Sequence, residues 1–332
     1  MNEPTALLGS DVQARRPKTG VSLSRVGVTG VEKIIRIQSN GRRSLFFAEL
    51  ECFVDLGPEQ KGAHMSRFEE VINEAIDEVV LGEAFKAETL ASHIAERVRD
   101  RQDGCRAEVT IAARYPENKP APVSGTPTQE IYTMFGSAVA SASGTRRLVG
   151  VQAQGMTACP CAQEMVTEGA RERLREDGFT DDEIVRVFEA VPVATHNQRG
   201  IGTLHIGCPE NCDEPIEAAA LLDIVESSMS SEIYELMKRP DELAVVEKAH
   251  MHPRFVEDCV REMVRMATER FSGLGDGAFV SARQENLETI HKHNVVAELH
   301  GLMGELLREM ASGERAERQV TMRDWLETSP TG

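Results

Sequence analysis

The chain has 332 residues, of which 41% are hydrophobic and 27% charged, as in globular proteins that bury a sizeable core. Its formal net charge of −17 argues against duplex DNA or RNA as a partner, because a phosphate backbone needs compensating cations. No apolar run approaches the ~20 residues that span a bilayer, and the N-terminus lacks a basic-then-apolar signal pattern, so we expect a cytoplasmic protein without a membrane partner.

The first half of the chain alternates between strand and helix patterns. A polar lead-in at 1–20 is expected to be mobile. Alternation of apolar and polar residues predicts strands, and apolar residues at helical spacing predict helices. In chain order we expect a strand at 44–56, helices at 65–81 and 86–99, a strand at 105–115, a proline-rich loop at 116–127, and a hairpin of 131–142 with 146–156.

The second half repeats these patterns around a helical insert. The insert is predicted as two helices at 163–175 and 181–190, with Gly178 ending the first and a capping box of Thr180 and Glu183 opening the second. The remaining predicted elements are a strand at 201–208, a helix from Pro215, a helix at 253–271, a strand at 278–284 and a helix at 295–310.

The order strand, strand, helix, helix, strand, strand appears once cleanly and again less completely, without an evident fourth strand. This repeat predicts an internal duplication of an α+β unit, each a mostly antiparallel sheet with two helices packed on one face. We place the units at 21–142 and 143–332, with the helical insert at 163–191.

Residues of metal-ligand type are concentrated in four short patches of the second half. Each patch alone also fits a plainer role: small buried cysteines, a surface histidine, a charged turn or a polar loop. Together they supply thiolate, imidazole and carboxylate groups, the ligands of a metal that activates water. The patches are Thr157-Ala158-Cys159-Pro160-Cys161, Thr195-His196-Asn197-Gln198-Arg199, Met237-Lys238-Arg239-Pro240-Asp241-Glu242 and Ile290-His291-Lys292-His293.

The seven cysteines allow a structural alternative. An odd number argues against a disulfide framework. A second pair, Cys208 and Cys212, would make a four-cysteine zinc site with Cys159 and Cys161, although such sites usually use tighter paired knuckles than CxC with CxxxC.

Taken together and in this order, the patches resemble those of the GTP cyclohydrolase IB family, the bacterial FolE2 and archaeal MptA enzymes. The resemblance runs from about Val21 to His293. It implies tandem tunnelling-fold (T-fold) units and a divalent metal, zinc, iron(II) or manganese. The metal ligands that it implies are Cys159, His196, Glu242 and His291. The catalytic groups that it implies are Cys159, His196 and His293, with His196 acting as ligand or proton carrier and His293 as the acid/base group. The roles of His291 and His293 could be exchanged.

The resemblance also implies substrate contacts. Glu257 is expected to accept two hydrogen bonds from the guanine edge, and the cations are expected to meet the phosphates, with the first-half cluster acting across a subunit boundary in a homotetramer. The cations of the second half are Lys238, Arg239 and Arg199, and the first-half cluster is Lys61, His64 and Arg67.

The implied reaction is hydrolytic opening of the guanine imidazole ring of GTP with formate release, giving 7,8-dihydroneopterin triphosphate for pterin biosynthesis. The insert separates Cys159 from His196 by 37 positions, as in the MptA pattern, which keeps the 2′,3′-cyclic phosphate product as an alternative. The same patches are also compatible with another tunnelling-fold enzyme, such as a pterin synthase or the queuosine-pathway reductase, and with a non-catalytic structural-zinc protein.

Overall fold

The computed structural model describes residues 12–13, 15–39, 42–79, 86–209, 216–315 and 320–327. Within them, the strands form one sheet whose long members are all antiparallel and neighbour each other in chain order. β1 and β9 form its two edges, and the two-residue β7 pairs with the end of β5. The strands are β1 Leu23–Ser39, β2 Arg42–Leu56, β3 Arg106–Pro120, β4 Pro127–Ser141, β5 Gly144–Ala158, β6 Asn197–Cys208, β7 Ser231–Glu232, β8 Phe279–Leu287 and β9 Val295–Leu302.

The helices follow the strands in two groups. α1 and α2 lie between β2 and β3 and pack on the first half of the sheet, whereas α5 and α7 lie between β6 and β8 and pack on the second half. No described helix has the length and apolar character needed to cross a bilayer. The helices are α1 Met65–Val79, α2 Ala87–Gln102, α3 Pro160–Glu176, α4 Asp181–Ala190, α5 Ala218–Ser227, α6 Arg239–Met251, α7 Val256–Phe271, α8 Met303–Ser312 and α9 Met322–Glu327.

Both main helix groups cover the same face of the sheet, and each builds its own core. Met134 of β4 pairs with Val151 of β5, so the two halves share one continuous helix-covered face. A Cβ at Gly136 would lie 2.2 Å from the Ala87 backbone, which shows how closely α2 approaches β4. The first core includes Leu50, Phe68, Ile72, Ile94 and Ile111, and the second Leu204, Leu221, Met263 and Val280.

The opposite face carries a smaller cluster closed by α9. Gly202 of β6 faces α5, because a Cβ there would lie 2.7 Å from Val225. Gly207 lies an odd number of residues further along the same strand and faces the other way, where a Cβ would lie 2.8 Å from the Trp325 ring. Trp325 stacks on Phe279 at 5.6 Å between ring centroids and donates from Nε1 to Gly277 O at 3.0 Å.

Most of the sequence-based elements are confirmed. The predicted strands at 44–56, 105–115, 201–208 and 278–284 correspond to β2, β3, β6 and β8, and the hairpin turns at Gly144 with a φ of +126°. The insert forms α3 and α4, and Gly178 adopts a φ of +89°. The capping box is present: Thr180 N donates to Glu183 Oε2 at 2.8 Å and Glu183 N donates to Thr180 Oγ1 at 3.3 Å.

The predicted loop at 116–127 is wrong at both ends. β3 continues to Pro120 and β4 begins at Pro127, and these two prolines lie opposite each other in the ladder. The pairing of β2 with β3 ends at Arg114, so Pro116 lies where β3 has a neighbour on one side only. Proline is tolerated there because its missing N–H faces no partner strand.

The predicted helix at 295–310 is wrong over its first eight residues. These form β9, which pairs with β8 from Asn286 opposite Val295 to Phe279 opposite Leu302, and only then does α8 begin at Met303. β9 is the fourth strand of the second half that the sequence did not reveal. Tertiary pairing along β8 outweighs the helical spacing of the apolar residues.

Candidate active site

Cys159 and His196 are brought together at the last rung of the β5–β6 ladder. The ladder ends with Ala158 opposite Asn197, and beyond it Cys159 N donates to His196 O at 3.1 Å. Thr195 Oγ1 donates to Cys159 O at 3.0 Å, closing the junction from the other side. Antiparallel pairing thus makes neighbours of two residues that the α3–α4 insert separates by 37 positions.

The local backbone of Cys159 follows from the proline after it. Cys159 is the extended residue that precedes α3, and Pro160 occupies the first turn, where its missing N–H costs nothing. Cys161 therefore lies in that first helical turn and is exposed, while Cys159 is half-buried. The Cys159-Pro160-Cys161 motif therefore turns into α3 and does not continue as an extended segment.

Two acceptor oxygens face one nitrogen of His196. Its Nδ1 lies 3.2 Å from Gln198 Oε1 and 4.0 Å from Glu288 Oε2. An amide oxygen only accepts hydrogen bonds, so Gln198 favours the tautomer with the proton on Nδ1. Nε2 then keeps its lone pair for a metal or a proton.

Glu288 was missed by the sequence analysis. Its side chain is only 7% exposed, and it follows directly after β8, three residues before His291. The available signal was its place between a predicted strand and the histidine patch.

A buried histidine links three segments beside this junction. His250 of α6 lies with Nδ1 2.9 Å from Val246 O and Nε2 3.4 Å from Thr195 O. Gln163 of α3 donates from Nε2 to His250 O and Val193 O, both at 2.7 Å. These bonds fix the start of α3, the segment before His196 and the end of α6 against one another. His250 also carried no motif signal in the sequence.

The start of α7 is tied to the same strand end. Arg254 N donates to Ala158 O at 3.0 Å, and its guanidinium donates to Ser228 O at 2.7 Å. Glu257, three residues further on, lies in the first turn of α7. Glu257 is exposed, whereas Val256 and Cys259 on either side of it are buried.

The segment carrying Lys238, Arg239 and Glu242 begins a helix rather than a charged turn. All three side chains are exposed at the start of α6. Glu242 precedes His250 by eight residues, about 12 Å along the helix axis at 1.5 Å per residue. His250 is the residue of α6 that contacts Thr195, so Glu242 lies at the far end of α6 from that contact.

The histidine pair lies in the loop between β8 and β9. The rings of His291 and His293 stack with 5.2 Å between centroids and 16° between planes, so the two share a face as their spacing predicts. Both are exposed, and Thr289 Oγ1 donates to Asn197 O at 3.0 Å, which holds the loop beside the start of β6.

The first-half cluster lies at the other end of the sheet. Gln102, 1% exposed, holds His64 through two bonds to its backbone, and Arg67 donates to Arg101 O at 3.0 Å. His64 and Arg67 line a cavity of about 880 Å³, and the backbone N of Lys61 donates to Gln13 O and Arg15 O. This cavity is level with the start of β5, whereas Cys159 follows its end.

The side chains at the Cys159–His196 junction supply only part of the ligand set of a metal. Within the described ranges, no three histidine, cysteine, aspartate or glutamate side chains lie close enough to form a metal-binding group. Cys159 and His196 nevertheless offer the sulfur and nitrogen ligands that zinc and iron(II) accept. Cys208 is disulfide-bonded, which removes its thiolate from the proposed four-cysteine zinc site; Cys212 lies outside the described residues.

Comparison with known proteins first defines the class. The fold is similar to that of uricase from Arthrobacter globiformis, with a TM-score of 0.50, 8% sequence identity, and coverage of 89% of this chain and 96% of that one. At this identity the likeness concerns the fold alone. The chain is therefore an α+β protein with a large antiparallel sheet and a uricase-like fold.

The sequence then defines the family. The family described as type I GTP cyclohydrolase folE2 matches residues 10–297, and the chain belongs to it. A GTP cyclohydrolase MptA of Methanococcus aeolicus is 41% identical over 307 residues, which are 90% of this chain and 99% of the relative. A GTP cyclohydrolase MptA of Methanothermobacter thermautotrophicus is 43% identical over 307 residues, 90% and 95% of the two chains.

Proposed function

We propose that this protein is a GTP cyclohydrolase that opens the guanine imidazole ring by hydrolysis and releases formate. The observation that carries the proposal is the Cys159–His196 junction, in a chain of the type I GTP cyclohydrolase family. The main product is 7,8-dihydroneopterin triphosphate, for pterin biosynthesis. The 2′,3′-cyclic phosphate is the second candidate, favoured by relatives named MptA and by the α3–α4 insert.

Cys159 and His196 hold a divalent metal in this proposal, and Glu242 and His291 complete the ligand set. When bound, the metal supplies an activated water for attack on the ring. His196 binds through Nε2, because Gln198 and Glu288 face its Nδ1. His293, whose ring stacks on that of His291, exchanges protons with the substrate as the ring opens.

Glu257 selects guanine. A carboxylate accepts two parallel hydrogen bonds from the N1–H and exocyclic amine, which adenine does not offer. Its place is set by the bond from Arg254 N to Ala158 O, which fixes α7 to the strand that leads into Cys159. Lys238, Arg239 and Arg199, all exposed, meet the phosphates.

The substrate site is completed between subunits of a homotetramer built from tandem T-fold units. β5 has 15 residues, so about 50 Å of strand separates the His64–Arg67 end of the sheet from Cys159. Arg67 reaches a metal site only in another copy of the chain. The exposed edges β1 and β9 favour closure of the sheet against a partner, because open edges are normally paired or covered.

The test is incubation of the metal-free protein with GTP after addition of zinc, iron(II) or manganese. We expect one formate per GTP consumed, with at least one of these metals. Phosphorus NMR of the product distinguishes a triphosphate from a cyclic phosphate. GTP that remains intact with all three metals, or is consumed without formate, contradicts the proposal.

A further inference from the structure

Asp241 joins the two halves of the chain through one buried carboxylate. It is fully buried, although the side chains beside it at the start of α6 are exposed. Oδ1 accepts from Val123 N at 2.9 Å and Ser124 N at 2.8 Å. Oδ2 accepts from Ser124 Oγ at 2.7 Å and Lys238 N at 2.8 Å. Three of the four donors belong to the turn between β3 and β4, some 118 positions earlier in the chain.

We propose that Asp241 is a positioning residue that fixes the start of α6, and with it Lys238, Arg239 and Glu242, against the turn at 121–126. The inference rests on the proposed function, since it gives those three residues their roles in binding phosphate and metal. Asp241 touches neither substrate nor metal in this account and acts only through the backbone that it holds.

The geometry favours positioning because the held residues make no other anchoring contact. Within the described part of the chain, no hydrogen bond or ion pair involves the side chain of Lys238, Arg239 or Glu242. Their directions therefore depend on where α6 begins, and Asp241 caps that beginning by accepting from Lys238 N.

The carboxylate is ionised in the folded protein. Burial alone would raise the pKa of Asp241, but hydrogen bonds from Ser124, Lys238 and Val123 outweigh burial and hold that pKa well below its usual range. Both carboxylate oxygens of Asp241 accept hydrogen bonds, and an amide has only one oxygen that can do so. In Asp241→Asn the amide oxygen retains the two backbone donors of the turn, whereas the amide N–H groups face Lys238 N–H and lose that bond.

The experiment compares three variants that release α6 to different degrees. Asp241→Asn frees the helix start. Ser124→Ala removes one of the four bonds to Asp241 together with the contacts of that hydroxyl to Thr126, and Ser143→Ala removes a hydroxyl that contacts Ser141 in the β4–β5 turn. For each we measure the dissociation constant of manganese or zinc by calorimetry on the metal-free protein, the KM for GTP, and the unfolding temperature.

We expect Asp241→Asn to weaken metal binding or raise KM by about 10- to 100-fold, as loss of an outer partner does at metal sites. Ser124→Ala should shift the same quantity by about 2- to 10-fold, and Ser143→Ala should match the wild type. Wild-type metal affinity and KM in folded Asp241→Asn, with only a lower unfolding temperature, overturn the inference. If that variant does not fold, unchanged values in Ser124→Ala overturn it.

The outcomes separate this inference from the proposed function. A wild-type protein that binds metal but releases no formate contradicts the function, while the calorimetric comparison still tests Asp241. Normal formate release with identical metal affinity and KM in every folded variant leaves the function standing and removes the positioning role.

Discussion

Replacing Gln198 with leucine tests whether the tautomer of His196 matters to the site. Gln198 is 5% exposed, and its Oε1 lies 3.2 Å from His196 Nδ1. Leucine has a similar volume but lacks the acceptor. The remaining acceptor, Glu288 Oε2 at 4.0 Å, lies beyond hydrogen-bonding distance, so the imidazole loses the contact that orients it.

The expected effect is set by what such partners contribute at metal sites. Loss of a hydrogen bond to a metal-binding histidine typically costs about 10- to 100-fold in affinity or activity. This corresponds to about 1.4–2.8 kcal/mol. We expect this loss in the metal dissociation constant and in kcat/KM, while the unfolding temperature changes little because the leucine fills the same buried space.

Gln152→Leu is the matched control. Gln152 lies on β5 and donates from Nε2 to Thr203 Oγ1 at 3.1 Å, away from the junction. The same substitution there removes a comparable bond without touching His196, so metal affinity and kcat/KM should equal those of the wild type. Equal behaviour of the two variants in both measurements would refute the reasoning about His196.

Glu257→Gln should weaken GTP binding by about 2–5 kcal/mol and so raise the KM for GTP, because the amide donates where guanine also donates; an unchanged KM removes the assigned role. Inactive Cys159 and Arg67 variants should recover activity when mixed, if subunits share sites; mixtures that exchange subunits and stay inactive count against shared sites. Thr180→Ala should lower the free energy of unfolding by about 0.5–2 kcal/mol through loss of the cap, measured by urea denaturation, and no loss contradicts the capping box. Gly207→Ala should shift the fluorescence of the single tryptophan to longer wavelength, because the new Cβ displaces it, and an unshifted spectrum contradicts that packing.

Local sequence patterns predicted most of the fold, because in most elements the apolar residues recur either at every second residue, as in a strand, or at helical spacing. The capping box at Thr180 and the turn at Gly144 depend on neighbours in sequence, and both are present. β9 was mistaken for a helix because apolar residues from Val295 to Leu302 fit either period, and only pairing with β8 selects the strand. Pro116 was read as a loop signal because the end of the β2–β3 ladder is invisible in the sequence.

The candidate site was predictable in its residue types and not in its geometry. The cysteine and histidine patches were recognised by ligand chemistry and by family resemblance. Their contact depends on the pairing of β5 with β6 across the insert, which no local pattern encodes. Glu288 and His250 contact segments that are distant in sequence, so single-sequence reasoning assigned them no role. Gln198 lies only two residues from His196, but the direction of its side chain is not visible in the sequence.

The most direct test of the account is formate release from GTP by Cys159→Ala, beside Cys105→Ala as a control. Both cysteines are free thiols that are at least partly exposed, but only Cys159 lies at the junction with His196. The account predicts that Cys159→Ala folds, binds metal much more weakly and releases no formate, while Cys105→Ala behaves as the wild type. A Cys159→Ala protein that retains its metal and near-normal formate release would contradict it.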